Sequence, residues 1–165
     1  LAGEAIVAKM TSAPGNGGPK VSGNVQLSDF GGSYPSSLAY ELRVQGSDET
    51  LTGGTVSLNA DGSYQIRTPV SAPYRLVLKT SHFLASGSNI DTTNGDVVGA
   101  DFTLINGDVD GDNSVTVFDY AMLSNAFDSS EGDSNWVASA DLDGDGSVTV
   151  FDYSVLSQNF DLSGE

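Results

Sequence analysis

The stretch Asp108-Val-Asp-Gly-Asp-Asn-Ser-Val-Thr-Val-Phe-Asp-Tyr120 returns 33 residues later as Asp141-Leu-Asp-Gly-Asp-Gly-Ser-Val-Thr-Val-Phe-Asp-Tyr153. Internal repetition at a fixed offset marks a duplicated structural unit. The likeness runs on into Ala121-Met-Leu-Ser-Asn-Ala-Phe127 and Ser154-Val-Leu-Ser-Gln-Asn-Phe160, so each acidic loop leads into a short amphipathic helix. Asp128 to Ala140, which holds the single tryptophan, Trp136, connects the copies. Two units are too few for a solenoid, and the pattern predicts a pseudo-symmetric pair.

The spacing of the acids decides the chemistry. Calcium is a hard cation that takes roughly six to eight oxygens in a flexible cage. An EF-type loop supplies them from positions 1, 3, 5, 7, 9 and 12, with a glycine at 6 for the sharp turn. In the first copy these positions are Asp108, Asp110, Asp112, the Ser114 carbonyl, Thr116 through water, and Asp119. In the second they are Asp141, Asp143, Asp145, the Ser147 carbonyl, Thr149 and Asp152. Two calcium ions are therefore expected. Position 6 is Gly146 in the second loop and Asn113 in the first, and asparagine tolerates the left-handed backbone better than most residues. Position 8 is Val115 or Val148, an apolar residue expected to bridge the paired loops by a short β contact. Eight carboxylates in two loops repel one another without a cation, so metal binding and folding should be coupled.

The module over residues 106–165 resembles a type I dockerin. The resemblance rests on Asp rather than Glu at position 12, on a helix that only follows each loop, and on the lead-in Gly107-Asp-Val-Asp-Gly-Asp112. It implies that positions 10 and 11, Val117 with Phe118 and Val150 with Phe151, help recognise a cohesin. Core packing is the competing reading for these four residues. The family commonly places basic residues further along the helix, where this chain has Ser124-Asn125 and Ser157-Gln158. That departure leaves metal binding intact and weighs against a cohesin.

Residues 21–105 read as short strands. Leu38, Tyr40, Leu42 and Val44 alternate with Ala39, Glu41 and Arg43, the period of a half-buried strand. Further strands are expected at 21–27, 55–58, 63–67, 74–79 and 97–104, with a hairpin at Asn59-Ala-Asp-Gly62. Strands at such short spacing predict an antiparallel, Ig- or transthyretin-like β-sandwich. The runs Ala60-Asp-Gly-Ser-Tyr-Gln-Ile66 and Ala72-Pro-Tyr-Arg-Leu-Val-Leu78 resemble the transthyretin-like, carboxypeptidase-regulatory type. Ahead of it, residues 1–20 form an N-terminal strand and a Gly/Pro linker. Ala5, Ile6, Val7 and Ala8 are apolar on both alternating faces, which suits a strand buried between sheets, completing either a neighbour's sandwich or its own.

Charge narrows the partners. The net charge is −16, and after Lys79 the chain contains neither lysine nor arginine, so the whole excess lies in the second half. Such a field repels nucleic acid and anionic lipid and attracts divalent cations. With no cysteine there is neither a disulfide framework nor a thiolate site, and bound metal is the remaining staple. No apolar run is long enough to span a membrane. Leu1 in place of Met fits a mature form after removal of a signal peptide, and so a secreted, cell-surface protein. His82 is the one histidine, with no acid near it in sequence, and is expected on a strand edge at the surface. The absence of a nucleophile elbow, phosphate loop or histidine cluster predicts no enzyme.

Three functions compete, and the third, glycan binding by the sandwich, is the weakest, because that region has no tryptophan to offer a sugar. In the first, the chain is a calcium-stapled structural subunit that self-associates, through Ala5–Ala8, into a homo-oligomer or fibre. In the second, the module docks on a cohesin in a cellulosome-like system for polysaccharide degradation. The first is the leading expectation, because nothing else in the chain is long enough to be a catalytic cargo.

Overall fold

The computed structural model describes residues 17–165, so the expected Ala5–Ala8 strand lies outside the described residues. The chain forms two compact units. One comprises the described residues up to Val25 with Ser36–Leu78 and Gly87–Phe102; the other comprises Gln26–Pro35, Lys79–Ser86 and Thr103–Glu165.

The first unit carries two four-stranded sheets. One sheet runs β4 (Ser63–Arg67), β1 (Lys20–Leu27) and β7 (Val97–Val98), with β8 (Phe102–Leu104) also paired to β1. The other runs β3 (Thr50–Ser57), β2 (Ser37–Val44), β5 (Pro73–Lys79) and β6 (Ser86–Asp91). Alternation explains the strands: Leu38 and Leu42 on β2, Tyr64 and Ile66 on β4, and Tyr74 and Leu76 on β5 are all buried. β1 pairs antiparallel with β4 in the register Val21↔Ile66 and Gly23↔Tyr64. It pairs parallel with β7, Val21↔Val97, so the expected antiparallel pairing is corrected at this one pair. The single strand expected over 97–104 is two short ones, because Gly99 turns the chain at φ 79° between them. A Cβ at Gly23 would stand 2.1 Å from the Ala100 carbonyl oxygen, so that close approach requires glycine.

The second unit packs around the duplicated segment. Its helices are α1 (Val117–Ala126) and α2 (Val150–Gln158), each following one acidic loop. Thr116 and Thr149 cap them through their side-chain oxygens, and Asp119 and Asp152 complete a capping box at the third helical position. Leu123 and Ala126 from α1 meet Val155 and Leu156 from α2 in a core that also holds Leu84, Val109, Val115, Leu142 and Val148. Trp136, in the connector, packs against this core. Tyr120 and Tyr153 stack edge-on across the helix pair, with centroids 4.7 Å apart.

The two loops do not bridge one another, as the valines at position 8 suggested. Each pairs instead with the segment that follows the other copy's helix. In β10 (Ser147–Val148), Val148 lies opposite Ser129 of β9 (Ser129–Ser130), just after α1. Thirty-three residues earlier, the Val115 amide donates to the Leu162 carbonyl at 2.8 Å, just after α2. The exchange is reciprocal: Asp128 N donates to Val148 O and Asp161 N to Val115 O, each at 2.9 Å. Asp128 and Asp161 both take the left-handed backbone, at φ 61° and 66°, so that the chain can turn back from its helix.

Candidate calcium loops and docking face

In each loop the carboxylates at positions 1, 3 and 5 converge. One oxygen from each of Asp108, Asp110 and Asp112 lies within 4.8 Å of the others, and Asp141, Asp143 and Asp145 form the same cluster. The loops hold this shape through their own amides. Asp112 N donates to Asp110 Oδ1 at 3.0 Å and Ser114 N to Asp112 Oδ1 at 2.9 Å. In the second loop, Asp145 N donates to Asp143 Oδ1 at 3.1 Å and Ser147 N to Asp145 Oδ1 at 2.9 Å.

The acids at position 12 sit differently. Asp119 and Asp152 are fully buried and stand outside both clusters of three. Asp152 Oδ1 accepts the amides of Leu142 at 2.6 Å and Asp143 at 3.1 Å, and its Oδ2 accepts Thr149 N at 2.7 Å. Asp119 likewise accepts Asp110 N at 3.0 Å and Thr116 N at 2.7 Å. These carboxylates fasten the start of each loop to the start of its helix. The threonines at position 9 are occupied too, since Thr116 Oγ1 accepts Phe118 N at 3.1 Å and Thr149 Oγ1 accepts Phe151 N at 3.2 Å. The position-7 serines enter the ladders, Ser114 opposite Ser163 and Ser147 opposite Ser130.

Electrostatics favour a cation in both clusters. Burial first, then neighbouring carboxylates, raise the Asp110 carboxyl above its ordinary range, with Asp119, Asp112 and Asp108 contributing. Asp143 is raised in the same way, by burial and then by Asp152, Asp145 and Asp141. Asp141 is raised by burial and by Asp152, against the pull of loop amides. Crowded oxygens that resist ionisation together are the donor set a divalent hard cation neutralises. The residues fit calcium.

Asn113 does more than tolerate the turn. At φ 73° it takes the left-handed conformation expected at position 6. Its Oδ1 accepts Ala85 N at 2.7 Å, its Nδ2 donates to Glu165 O at 3.0 Å, and its carbonyl accepts Gly164 N at 2.9 Å. His82 also departs from expectation: it is buried rather than on a surface edge. It packs between Phe30 and Phe83, with centroids at 5.8 and 4.6 Å, and its carbonyl accepts the amides of Gly107 and Asp108. Sequence distance hid both contacts.

The residues at positions 10 and 11 open the helices and face solvent. Val117 is 62% exposed, Phe118 67%, Val150 61% and Phe151 64%, which rules out the core reading for all four. Beside them Ser124, Phe127, Val150 and Tyr153 line an open groove. The Ser124 and Tyr153 hydroxyls lie 3.0 Å apart in it.

Residues 106–161 match the family model of the dockerin type I domain. This segment is dockerin-like. Dockerin domains bind calcium, and clustered acidic groups are present in both loops here. Among curated proteins, none matches the chain. Among solved structures, it is similar to a chain of the Coh3ScaB–XDoc_M1ScaA complex, an N-terminal interface mutant of a type II cohesin–X-dockerin complex from Acetivibrio cellulolyticus. The identity is 17% and the TM-score 0.68, over 89% of this chain and 98% of that one. A C-terminal interface mutant of the same type of complex matches at 16% identity, with the same TM-score and coverage. At this identity the likeness is one of fold. Its span exceeds the dockerin, so the strands that precede the dockerin share it. Among the described residues, no helix is long and apolar enough to cross a membrane.

Proposed function

We propose that this chain is a non-catalytic docking module of an extracellular, cellulosome-type assembly, whose calcium-loaded dockerin presents its helix starts to a cohesin. The observation that carries this reading is the pair of exposed apolar dipeptides, Val117-Phe118 and Val150-Phe151, each held at a helix start by an acidic loop. Exposed apolar pairs beside a groove are the usual mark of a protein interface. The fold likeness to chains of cohesin–X-dockerin complexes favours docking over the self-assembling fibre, for which the comparisons offer no support.

Two calcium ions are assigned, one to each loop. Asp108, Asp110, Asp112 and the Ser114 carbonyl would hold the first, and Asp141, Asp143, Asp145 and the Ser147 carbonyl the second. Asp119 and Asp152 serve at position 12, and Thr116 and Thr149 act through water. A bound ion neutralises the clustered carboxylates. The chain's own residues do the rest: Asp119 and Asp152 tie loop to helix, and the reciprocal ladders tie each copy to the other. The dipeptides are thereby fixed at a constant spacing for a partner. No basic side chain follows either loop, so docking rests on apolar contact more than on ion pairs.

The test is a double variant. Phe118→Asp with Phe151→Asp should abolish capture by a cohesin, while calcium affinity and helix content stay close to wild type. Loss of calcium binding along with capture would instead make these residues structural.

A further inference from the structure

The two loops match in sequence but not in what meets their first aspartate. Asp141 accepts three amides of its own loop, from Gly144 at 3.0 Å, Asp145 at 3.1 Å and Gly146 at 3.0 Å. Among the described residues no lysine or arginine forms a salt bridge with it. Asp108 accepts a single loop amide, that of Asn113 at 3.2 Å. Its Oδ2 instead holds the ammonium of Lys79, which also donates to the Phe83 carbonyl at 2.9 Å. The Asp108 side chain is fully buried and that of Lys79 is 29% exposed, so this pair is screened far less than a surface one. Lys79 is also the last lysine or arginine in the sequence, placed at the end of β5 some thirty residues before the loop.

An ammonium and a dication cannot share one carboxylate without strong repulsion at short range. We propose that Lys79 is a resident counter-ion of the first loop, which makes the two calcium sites unequal. The second loop fills first and more tightly; the first fills as Lys79 yields Asp108. In the calcium-free chain, Lys79 neutralises part of the first loop and keeps it ordered. The inference rests on the calcium reading of both loops, and it adds a residue outside the dockerin segment that sets their order.

The test uses the full chain and calcium itself. Titration calorimetry on wild type should resolve two affinities at least tenfold apart. The weaker one should survive alone when the second loop is disabled by Asp143→Asn with Asp145→Asn. Lys79→Met should then raise the weaker affinity tenfold or more. It should also lower the melting temperature in chelator while leaving the calcium-saturated value nearly unchanged. Lys79→Gln keeps a donor for the Phe83 carbonyl without the charge, and serves where the methionine variant folds poorly. An unchanged or weakened first site in both variants would overturn the inference, as would equal loss of melting temperature with and without calcium. Absence of calcium heat in wild type would overturn the calcium reading itself, and the inference with it.

Discussion

Val115 and Leu162 join the first loop to the end of the chain, through an amide–carbonyl bond of 2.8 Å that repeats the Val148–Ser129 pairing of the second loop. The duplicated halves thus complete one another, each loop taking its β partner from beyond the other's helix. The first loop takes its partner from residues 161–165.

Truncation after Phe160 should therefore act on the first loop selectively. It removes the bonds between Val115 and Leu162, Asp161 and Val115, Gly164 and Asn113, Asn113 and Glu165, and Glu165 and Ala85. At about 1 kcal/mol or less net for each, the loss is roughly 2–4 kcal/mol. Hydrogen exchange should show amides 108–116 deprotected and amides 141–149 little changed. Equal deprotection of both loops would argue against the reciprocal arrangement.

Asn113→Gly restores the glycine usual at position 6 and relieves a left-handed asparagine, a gain of about 1 kcal/mol or less. It also strands the Ala85 amide and removes the side-chain bond to the Glu165 carbonyl, which costs about 1–3 kcal/mol. The variant should be less stable than wild type by roughly 1 kcal/mol in chemical denaturation. A more stable variant would mean that the side-chain contacts contribute nothing.

The helix caps give a graded test. Thr149→Ala removes the oxygen that accepts Phe151 N and should cost about 1 kcal/mol. Because the cap also positions Phe151 at the docking face, cohesin affinity should fall along with stability. Thr116→Ala should do the same through Phe118.

Burial, and secondarily Lys79, push the His82 imidazole down to about 4, and among the described residues its Nε2 has no hydrogen-bond partner. The folded chain leaves His82 neutral while the unfolded chain protonates it near 6.5, so between these values the unfolded state binds more protons. The His82 contribution is intact above about pH 6.5 and is lost as pH falls toward 4, at a cost of roughly 3 kcal/mol. Denaturation at pH 7 and pH 4.5 should show His82→Phe losing less stability than wild type over that interval. Equal losses would place the titration elsewhere.

What was legible in the sequence is what metal chemistry forces into fixed spacing. Acids at alternate loop positions, a capping threonine and a following helix must be close in the chain, so the repeat declared them. Alternating strands such as Ser37–Val44 were visible for the same local reason. β6 was missed because Ser86-Gly-Ser-Asn-Ile-Asp91 has one apolar residue, Ile90, and owes its strand to β5 beside it. Lys79 was read only as the end of a strand, His82 as a surface edge and Asn113 as a turn. Their roles depend on Lys79–Ser86 joining the dockerin-bearing unit, which no local pattern announces. The exposure of Phe118 and Phe151 was equally undecidable, since apolar residues at a helix start suit a core or an interface.

The central claim is calcium-dependent docking, and calorimetric titration of the full chain with a panel of type I and type II cohesins tests it most directly. In calcium, at least one cohesin should bind with sub-micromolar Kd, about −8 kcal/mol or tighter, and excess chelator should abolish the binding. Absence of binding to every cohesin in calcium, with the chain instead associating with itself as concentration rises, would contradict the account.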